Sequence, residues 1–332
     1  MKAYLLDRYK QDALRLGDIP TPEVGDDDVL IEVHAAGLNL LDSKIRSGEF
    51  KAILPYKLPI ALGHDVAGVV VRVGGKVRDF KPGDAVYSRV PDGRIGTLAE
   101  FIAVKAADVA PKPSNLTMAE AASIPLVGLT AWQSLVERAG IKKGKKVLIH
   151  AGSGGVGTFA IQLARHLGAT VATTASAANK DLVTRLGADV VIDYRKDAFE
   201  KAISGYDAVL NSLDGETLEK SLDVLKPGGQ LISISGPPDV AFAKQQGLNW
   251  ALQLAIRLIS SSIRRKAKAR QVNYSFLFMK AHGAQLRQIT TLLDAGAIKP
   301  VIDRVFPFNA VNEALAYIET GRAKGKVVVQ FK

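Results

Sequence analysis

Cysteine is absent from all 332 residues. That absence excludes disulfides, a thiolate nucleophile, and cysteine-ligated zinc, iron–sulfur clusters or thiolate-bound haem. Chemistry must run on oxygen and nitrogen groups or on a borrowed cofactor. Long apolar runs are missing too. The greasiest stretch, Leu248 to Ile263, is interrupted by Asn249, Gln253, Arg257 and three serines, and falls short of the roughly 18 apolar residues that a membrane span needs. The opening MKAYLLDRYK mixes charge with apolar positions and lacks the apolar core of a secretory signal. A reducing, cytoplasmic setting is the expectation. No internal repeat or low-complexity tract breaks the chain.

Acidic residues are outnumbered, Asp+Glu 33 against Lys+Arg 44, for a net charge of +11. This favours anionic partners without saying which. With 47% hydrophobic and 23% charged residues, the chain can pack about two cores at this length.

The first third reads as β structure: VLIEVHAAG (Val29 to Gly37), DVAGVVVRVG (Asp65 to Gly74), DAVYS (Asp84 to Ser88) and LAEFIAV (Leu98 to Val104), with a KPGD turn between two of them. These suggest an irregular, mainly antiparallel barrel or sandwich. Near residue 117 the texture changes. Thr117 and Glu120 have capping-box spacing, and helical periodicity runs to about Arg138 with an interruption at Pro125. From Lys145 strands and helices alternate, which requires crossover connections and so a parallel, helix-covered sheet. VNYSFLFM (Val272 to Met279) reads as one more strand, followed by a helix, a strand, a helix and a last strand KVVVQF.

Within VLIHAGSGGVG, Gly152, Gly154 and Gly157 have G-x-G-x-x-G spacing directly after a strand and before a helix. Glycines there permit a tight turn, approach of the backbone to a pyrophosphate, and close helix–strand contact, while the helix N-terminus offers unpaired N–H groups. The context predicts dinucleotide binding. Folds selective for NAD usually carry an acidic residue at the end of the second strand. Here that strand ends TTAS (Thr173 to Ser176), with Lys180 following and no carboxylate before Asp181. A 2′-phosphate meets hydroxyls and a cation there, so NADPH is expected over NADH. The bland reading, that Ser176 caps the next helix and Lys180 is merely solvated, is compatible with it.

Taken together, AAGLNLLDSKIRSG (Ala35 to Gly48), the glycine-rich stretch Leu58 to Ser88, AASIPLVGLTAW (Ala121 to Trp132), HAGSGGVGTFAIQLAR (His150 to Arg165), LGADVVIDYR (Leu186 to Arg195) and GRAKGKVVVQF (Gly321 to Phe331) resemble the medium-chain dehydrogenase/reductase superfamily. The resemblance is to its zinc-independent quinone oxidoreductase and enone (2-alkenal) reductase branch. It implies an α/β fold class: a doubly wound, parallel Rossmann sheet over residues 123–280, plus a GroES-like irregular β-barrel catalytic domain from residues 1–122 and 281–332, with the active cleft at their junction. It also implies a homodimer, with the strand around Val272 to Met279 pairing across the interface. Relatives that use catalytic zinc place Cys where this chain has Asn39; His64 is kept, but a lone His more often serves a structural hydrogen bond, since zinc needs three or four convergent ligands.

Carried over position by position, the glycines of the loop with Ser153, Gly155 and Val156 are implied to hold the pyrophosphate. Ser176, Lys180 and Tyr194 fall to the 2′-phosphate region and Asn211 to the nicotinamide-side ribose. Asn39 and Lys44 match cleft residues near the nicotinamide, and Thr130 sits where a helix meets it. Phe276, Leu277 and Phe278 lie where this branch often supplies backbone contacts to the carboxamide, although alternate aromatics on a strand usually form one buried face. The implied reaction is metal-free hydride transfer from NADPH to a quinone or an α,β-unsaturated carbonyl, with protonation by solvent. Tyr87 and His64 are alternative acids that read better as structural.

One segment stands apart. In Trp250 to Arg270, Leu252, Ala255, Ile256, Ile259 and Ile263 recur at helical spacing, Leu254 and Leu258 widen the stripe, and Arg264, Arg265, Lys266, Lys268 and Arg270 follow. A helix over the cleft or dimer seam, a surface that meets anionic membrane, and a nucleic-acid contact all fit, in that order of preference. A rival for the whole chain is a non-enzymatic NADPH-binding protein that acts through RNA or a protein partner; no specific nucleic acid is expected.

Overall fold

The structure, a computed structural model, describes residues 1–213 and 215–332. These fall into two compact units, one of Met1–Leu129 with Lys280–Lys332, the other of Thr130–Met279.

The first unit opens with β1 (Lys2–Leu6), β2 (Arg15–Asp18), β3 (Asp28–Leu38), α1 (Leu40–Ser47), β4 (Ile60–Ala61), β5 (Asp65–Val73), β6 (Ala85–Arg89), β7 (Phe101–Lys105) and β8 (Val109–Pro111). Short helix α2 (Met118–Ala122) follows, then α3 (Pro125–Trp132), whose last three residues belong to the second unit. The expected capping box closes α2: Thr117 Oγ1 accepts from Glu120 N while the Glu120 carboxylate accepts from Thr117 N. Helix α3 restarts at Pro125, whose missing N–H costs nothing at a first helical position, and Asp65 Oδ1 accepts from Leu126 N at 2.8 Å.

In the second unit the chain alternates β9 (Lys146–Ile149), α4 (Gly155–His166), β10 (Thr170–Ala175), α5 (Lys180–Arg185), β11 (Val190–Asp193), α6 (Phe199–Ala202), β12 (Tyr206–Asn211), α7 (Gly215–Lys220) and β13 (Leu225–Ser233). Helices α8 (Val240–Gln245), α9 (Trp250–Ile259) and α10 (Ser261–Ala269) precede β14 (Asn273–Phe276). All six strands pair in parallel in the order β11-β10-β9-β12-β13-β14. That is a Rossmann sheet, with its reversal of strand order between β9 and β12, where ligands of open α/β sheets bind beyond the strand ends. Its core is apolar, with Val147, Leu148, Val171, Val209 and Leu231 fully buried.

The last segment returns to the first unit as α11 (Gly283–Asp294), β15 (Ile302–Pro307), α12 (Val311–Glu319) and β16 (Lys326–Gln330). There β16 pairs antiparallel with β3 in a seven-stranded sheet ordered β15-β16-β3-β5-β6-β8, with β7 on β3. The C-terminal strand is thus an inner strand of the GroES-like sheet, between β15 and β3.

Two expectations are corrected. The strand read over Val272 to Met279 stops at Phe276, because its parallel partner β13 ends opposite it at Ser233. The basic stretch is two helices, α9 and α10, broken at Ser260, and its apolar stripe is not all inward: Ile256 and Ile263 are buried, whereas Leu254, Leu258 and Ile259 are exposed. Among the described residues no helix is long and apolar enough to cross a membrane.

Asp207 fastens the entry to the Rossmann sheet. Its carboxylate takes Lys145 Nζ at 2.9 Å, Lys226 Nζ at 2.6 Å and Lys146 N at 2.9 Å. Burial alone pushes this carboxyl up, but the bonds from Lys226, Lys146 and Lys145 outweigh it and hold the pKa at about 2. Because the folded value is depressed, the stabilisation is full above the unfolded carboxylate range and is lost as pH falls toward 2. Discounted for the half-exposed lysines, it amounts to roughly 1–2 kcal/mol. Asp207→Asn is expected to lower Tm by a few degrees at neutral pH, with the gap from wild type closing below about pH 4; pH-dependent melts check this.

Candidate functional sites

The phosphate loop of the second unit is built on close contacts. After β9, Ala151 turns the chain in a left-handed conformation, φ 51°, which a non-glycine residue holds only where its surroundings enforce it. Ala151 N donates to Thr174 Oγ1 at 3.1 Å and Gly152 N to Thr174 O at 3.0 Å, tying the loop to β10. Gly154 then stands at the N-cap of α4 with no side-chain cap. The N–H groups of Gly155, Val156 and Gly157, in the first turn, therefore point out of the helix end, as an anion requires.

The ends of β10 and β11 lie beside that loop. Ser176 follows the Ala175–Asp193 pair, and Tyr194 follows it on the neighbouring strand. Tyr194 and Lys180 are exposed, and the Arg195 guanidinium lies 5.7 Å from the Tyr194 ring centre. Asn179 Nδ2 donates to Ser153 Oγ at 2.9 Å, while its buried Oδ1 has no hydrogen-bond partner. Asn211, fully buried at the end of β12, donates to Leu213 O and Ser233 Oγ, and its Oδ1 is likewise unsatisfied. Orphaned buried acceptors are rare and costly. Two of them along the carboxyl edge of a Rossmann sheet match the hydroxyl and amide donors of a dinucleotide, so the residues present fit that cofactor. Asn179 and Arg195 were not singled out from the sequence. Arg195 directly follows Tyr194, but Asn179 is recognised only through its bond to Ser153.

Thr130 is buried, with its carbonyl taken by Ser134 Oγ at 2.6 Å. Phe276 and Phe278 both set their rings edge-on against Phe242, so those side chains are packing. The main chain of Phe276 is spent as well: its N–H donates to Asp239 Oδ2 at 3.0 Å and its carbonyl accepts from Arg138 Nη1 at 2.7 Å. Leu277 N donates to Ser233 O at 2.8 Å.

In the first unit the polar residues form a buried network. Asn39 Nδ2 donates to Asp65 Oδ2 at 3.0 Å, and Lys326 Nζ donates to Asn39 Oδ1 at 2.6 Å, Leu38 O at 2.8 Å and Asp65 Oδ2 at 3.1 Å. Asp42 caps α1 through Asn39 N and pairs its other oxygen with His64 Nδ1 at 2.6 Å. Asn39 is thus fully engaged by its own protein. Lys44, five residues on, pairs instead with Glu49 at 2.9 Å on a half-exposed side chain; the structure does not bring it to Asn39. Tyr87, buried, bonds Leu286 O and Thr290 Oγ1, and burial pushes its phenol far up; its role is to fasten α11.

Tyr56 is a residue the sequence did not mark. Its buried hydroxyl has no hydrogen-bond partner, and neither has His64 Nε2, which lies 3.8 Å from Asp92 Oδ1. Burial raises the Tyr56 phenol far above its ordinary value, and Asp92 adds to the effect. It therefore stays a donor at neutral pH.

Two family models match the chain, "Alcohol dehydrogenase GroES-like domain" over residues 25–114 and "Zinc-binding dehydrogenase" over residues 186–329. The zinc of the second description does not fit here. The Lys326 ammonium already sits between Asn39 Oδ1 and Asp65 Oδ2, where a metal would be repelled, and His64 Nδ1 is taken by Asp42. Among the described residues no cluster of three or more His, Cys, Asp or Glu has metal-binding geometry. The mitochondrial NAD(P)H oxidoreductase RTN4IP1 of Danio rerio is 37% identical, over 99% of this chain and 91% of its own. The chloroplastic NADPH-dependent alkenal/one oxidoreductase of Arabidopsis thaliana is 38% identical, over 99% of this chain and 79% of its own. The solved quinone oxidoreductase from Coxiella burnetii superposes with a TM-score of 0.87 at 32% identity, covering 100% of this chain and 99% of that one. Parallel Rossmann sheet, GroES-like barrel and full-length kinship agree: the chain belongs to the medium-chain dehydrogenase/reductase superfamily, in its quinone oxidoreductase and alkenal/one reductase branch.

Proposed function

We propose that the chain is an NADPH-dependent oxidoreductase that delivers hydride to a quinone or an α,β-unsaturated carbonyl. The observation that carries the reading is the loop of Gly152, Gly154 and Gly157 at the strand-order reversal, lined by the unsatisfied acceptors of Asn179 and Asn211. The names of the relatives, quinone oxidoreductase and alkenal/one oxidoreductase, supply the substrate class.

NADPH, when bound, supplies the hydride of its nicotinamide ring. The N–H groups of Gly155, Val156 and Gly157 with Ser153 would hold the pyrophosphate. Ser176, Lys180, Tyr194 and Arg195 would take the 2′-phosphate, a dianion that two cations and two hydroxyls suit better than a bare ribose diol. Asn211 and Thr130 would serve the nicotinamide side, with the main chain of Leu277 and Phe278 toward the carboxamide. In the first unit, Tyr56 keeps an unspent O–H, the type of donor that an oxygen gaining negative charge requires. Lys44, held by Glu49 and lying over the Phe50 ring on the surface, is a half-exposed cation of this unit, and Asn39 acts through the network that fixes the start of α1.

The test is a substrate panel followed by NADPH absorbance. Oxidation with quinones or enones is expected, with kcat/KM at least about tenfold higher for NADPH than NADH, a difference of about 1.4 kcal/mol. Arg195→Ala and Lys180→Ala should narrow that ratio through KM. Tight NADPH binding with no turnover across the panel would favour a non-enzymatic role, and turnover of ordinary ketones alone would defeat the substrate assignment.

A further inference from the structure

We infer that α9 and α10 form a docking surface for an anionic phospholipid bilayer, a property separate from the proposed reaction. On α9, Trp250, Leu254, Leu258 and Ile259 are 78%, 49%, 65% and 63% exposed. With Ala251 and Ala255, also exposed, they cover a continuous half of the helix circumference at 100° per residue. Only Ile256 is buried. Soluble surfaces scatter single large apolar side chains; a contiguous set on one helix marks an interaction site. Arg257 borders this arc beside Trp250, and α10 begins after the single residue Ser260.

The charge of the flanking helix identifies the occupant. Between Val240 and Leu293 the sequence contains no Asp or Glu. Lys266 and Arg270 are paired with Glu219 and Asp223 of the same unit. Arg257, Arg265 and Lys268 are exposed and have no ion-pair partner among the described residues. A depression that includes Lys268 is lined by Arg264, Gln271 and Asn273 together with Ala267, Val272 and Tyr274; its two cations and two amides are donors that a phosphodiester takes. A second copy seated by two-fold symmetry would bring no carboxylate from this segment to meet those cations. Nucleic acid would neutralise them but leave the apolar arc in water. An anionic bilayer satisfies both: the Trp and Leu side chains enter the acyl boundary and the cations meet the headgroups.

The full-length protein is sedimented with vesicles of phosphatidylcholine alone or containing phosphatidylglycerol, at low and high salt. Binding is expected only to the anionic vesicles, with a blue shift of tryptophan emission that Trp250→Phe removes. Arg265→Gln with Lys268→Gln should weaken binding about fivefold per cation, and Leu254→Ser with Leu258→Ser by at least about tenfold. These four side chains are exposed, so NADPH turnover should be unchanged. Equal binding to both vesicle types, no binding to either, or variants that bind like wild type would overturn the inference. So would a lipid-free dimer that Leu254→Ser with Leu258→Ser dissociates, which would assign the face to self-association.

Discussion

Gly157→Ala is expected to abolish NADPH binding, with an affinity loss of at least about a hundredfold, whereas Gly154→Ala leaves the fold intact and still weakens the cofactor. A Cβ on Gly157 would stand 2.4 Å from Ala151 O and 2.7 Å from Gly152 Cα. Both are backbone atoms of the phosphate loop itself, so no side chain can turn aside to make room. Relief requires the loop to move off α4, and a loop already held left-handed at Ala151 has little latitude. Overpacking of this kind costs about 1–3 kcal/mol in stability. Displaced N–H groups forfeit charge-assisted bonds of about 1.5–3 kcal/mol each, and it is the second loss that sets the affinity. Gly154 is the control. Its nearest protein neighbour to a Cβ is Ala151 O at 3.3 Å and its φ is −80°, so alanine asks that carbonyl to give by only a few tenths of an ångström. Calorimetric NADPH titration together with Tm separates the two: Gly157→Ala lowers both strongly, Gly154→Ala lowers affinity about tenfold with a much smaller loss of Tm. NADPH binding by Gly157→Ala at wild-type strength would remove the loop from the cofactor site.

The contrast between these glycines also shows what was legible in the sequence. The motif spacing identified all three because a strand–turn–helix that cradles a phosphate is a local device, encoded within a dozen residues. The Rossmann strands were legible for a similar reason: KVLI, TVATTA and YDAVLN are β-branched or apolar runs buried on both faces of a parallel sheet. Strand β1 was not, since MKAYLLDRYK mixes charges with its apolar positions and its four buried side chains show only once β2 and β4 flank it. The break at Ser260 was hidden by continuous helical spacing. Tyr56 carried no signal at all, because an unsatisfied hydroxyl is a property of what surrounds it in space.

The network around Asn39 lay furthest from sequence inspection, and it carries the largest expected effect on stability. Lys326 and Asp65 are 261 positions apart, and no spacing rule joins them. Lys326 is 5% exposed and Asp65 is fully buried, so the ammonium and carboxylate have left water together and each depends on the other. In Lys326→Met the methylene stem is nearly replaced in volume, but Asp65 keeps a charge with only Asn39 Nδ2 and Leu126 N to answer it. Asn39 Oδ1 loses its donor as well. Breaking one side of a buried pair costs about 3–5 kcal/mol, most of it the uncompensated charge left behind. Urea unfolding of Lys326→Met should show that loss. Adding Asp65→Asn removes the stranded charge while the amide can still cap Leu126 N, so the double variant should recover at least about 2 kcal/mol. A single-variant cost below about 1 kcal/mol, or a double variant no better than the single, would mean that the pair is hydrated and the barrel does not rely on it. The expected coupling rests on the last strand: its lysine supplies the positive charge beside Asp65, and it arrives only when β16 pairs with β3.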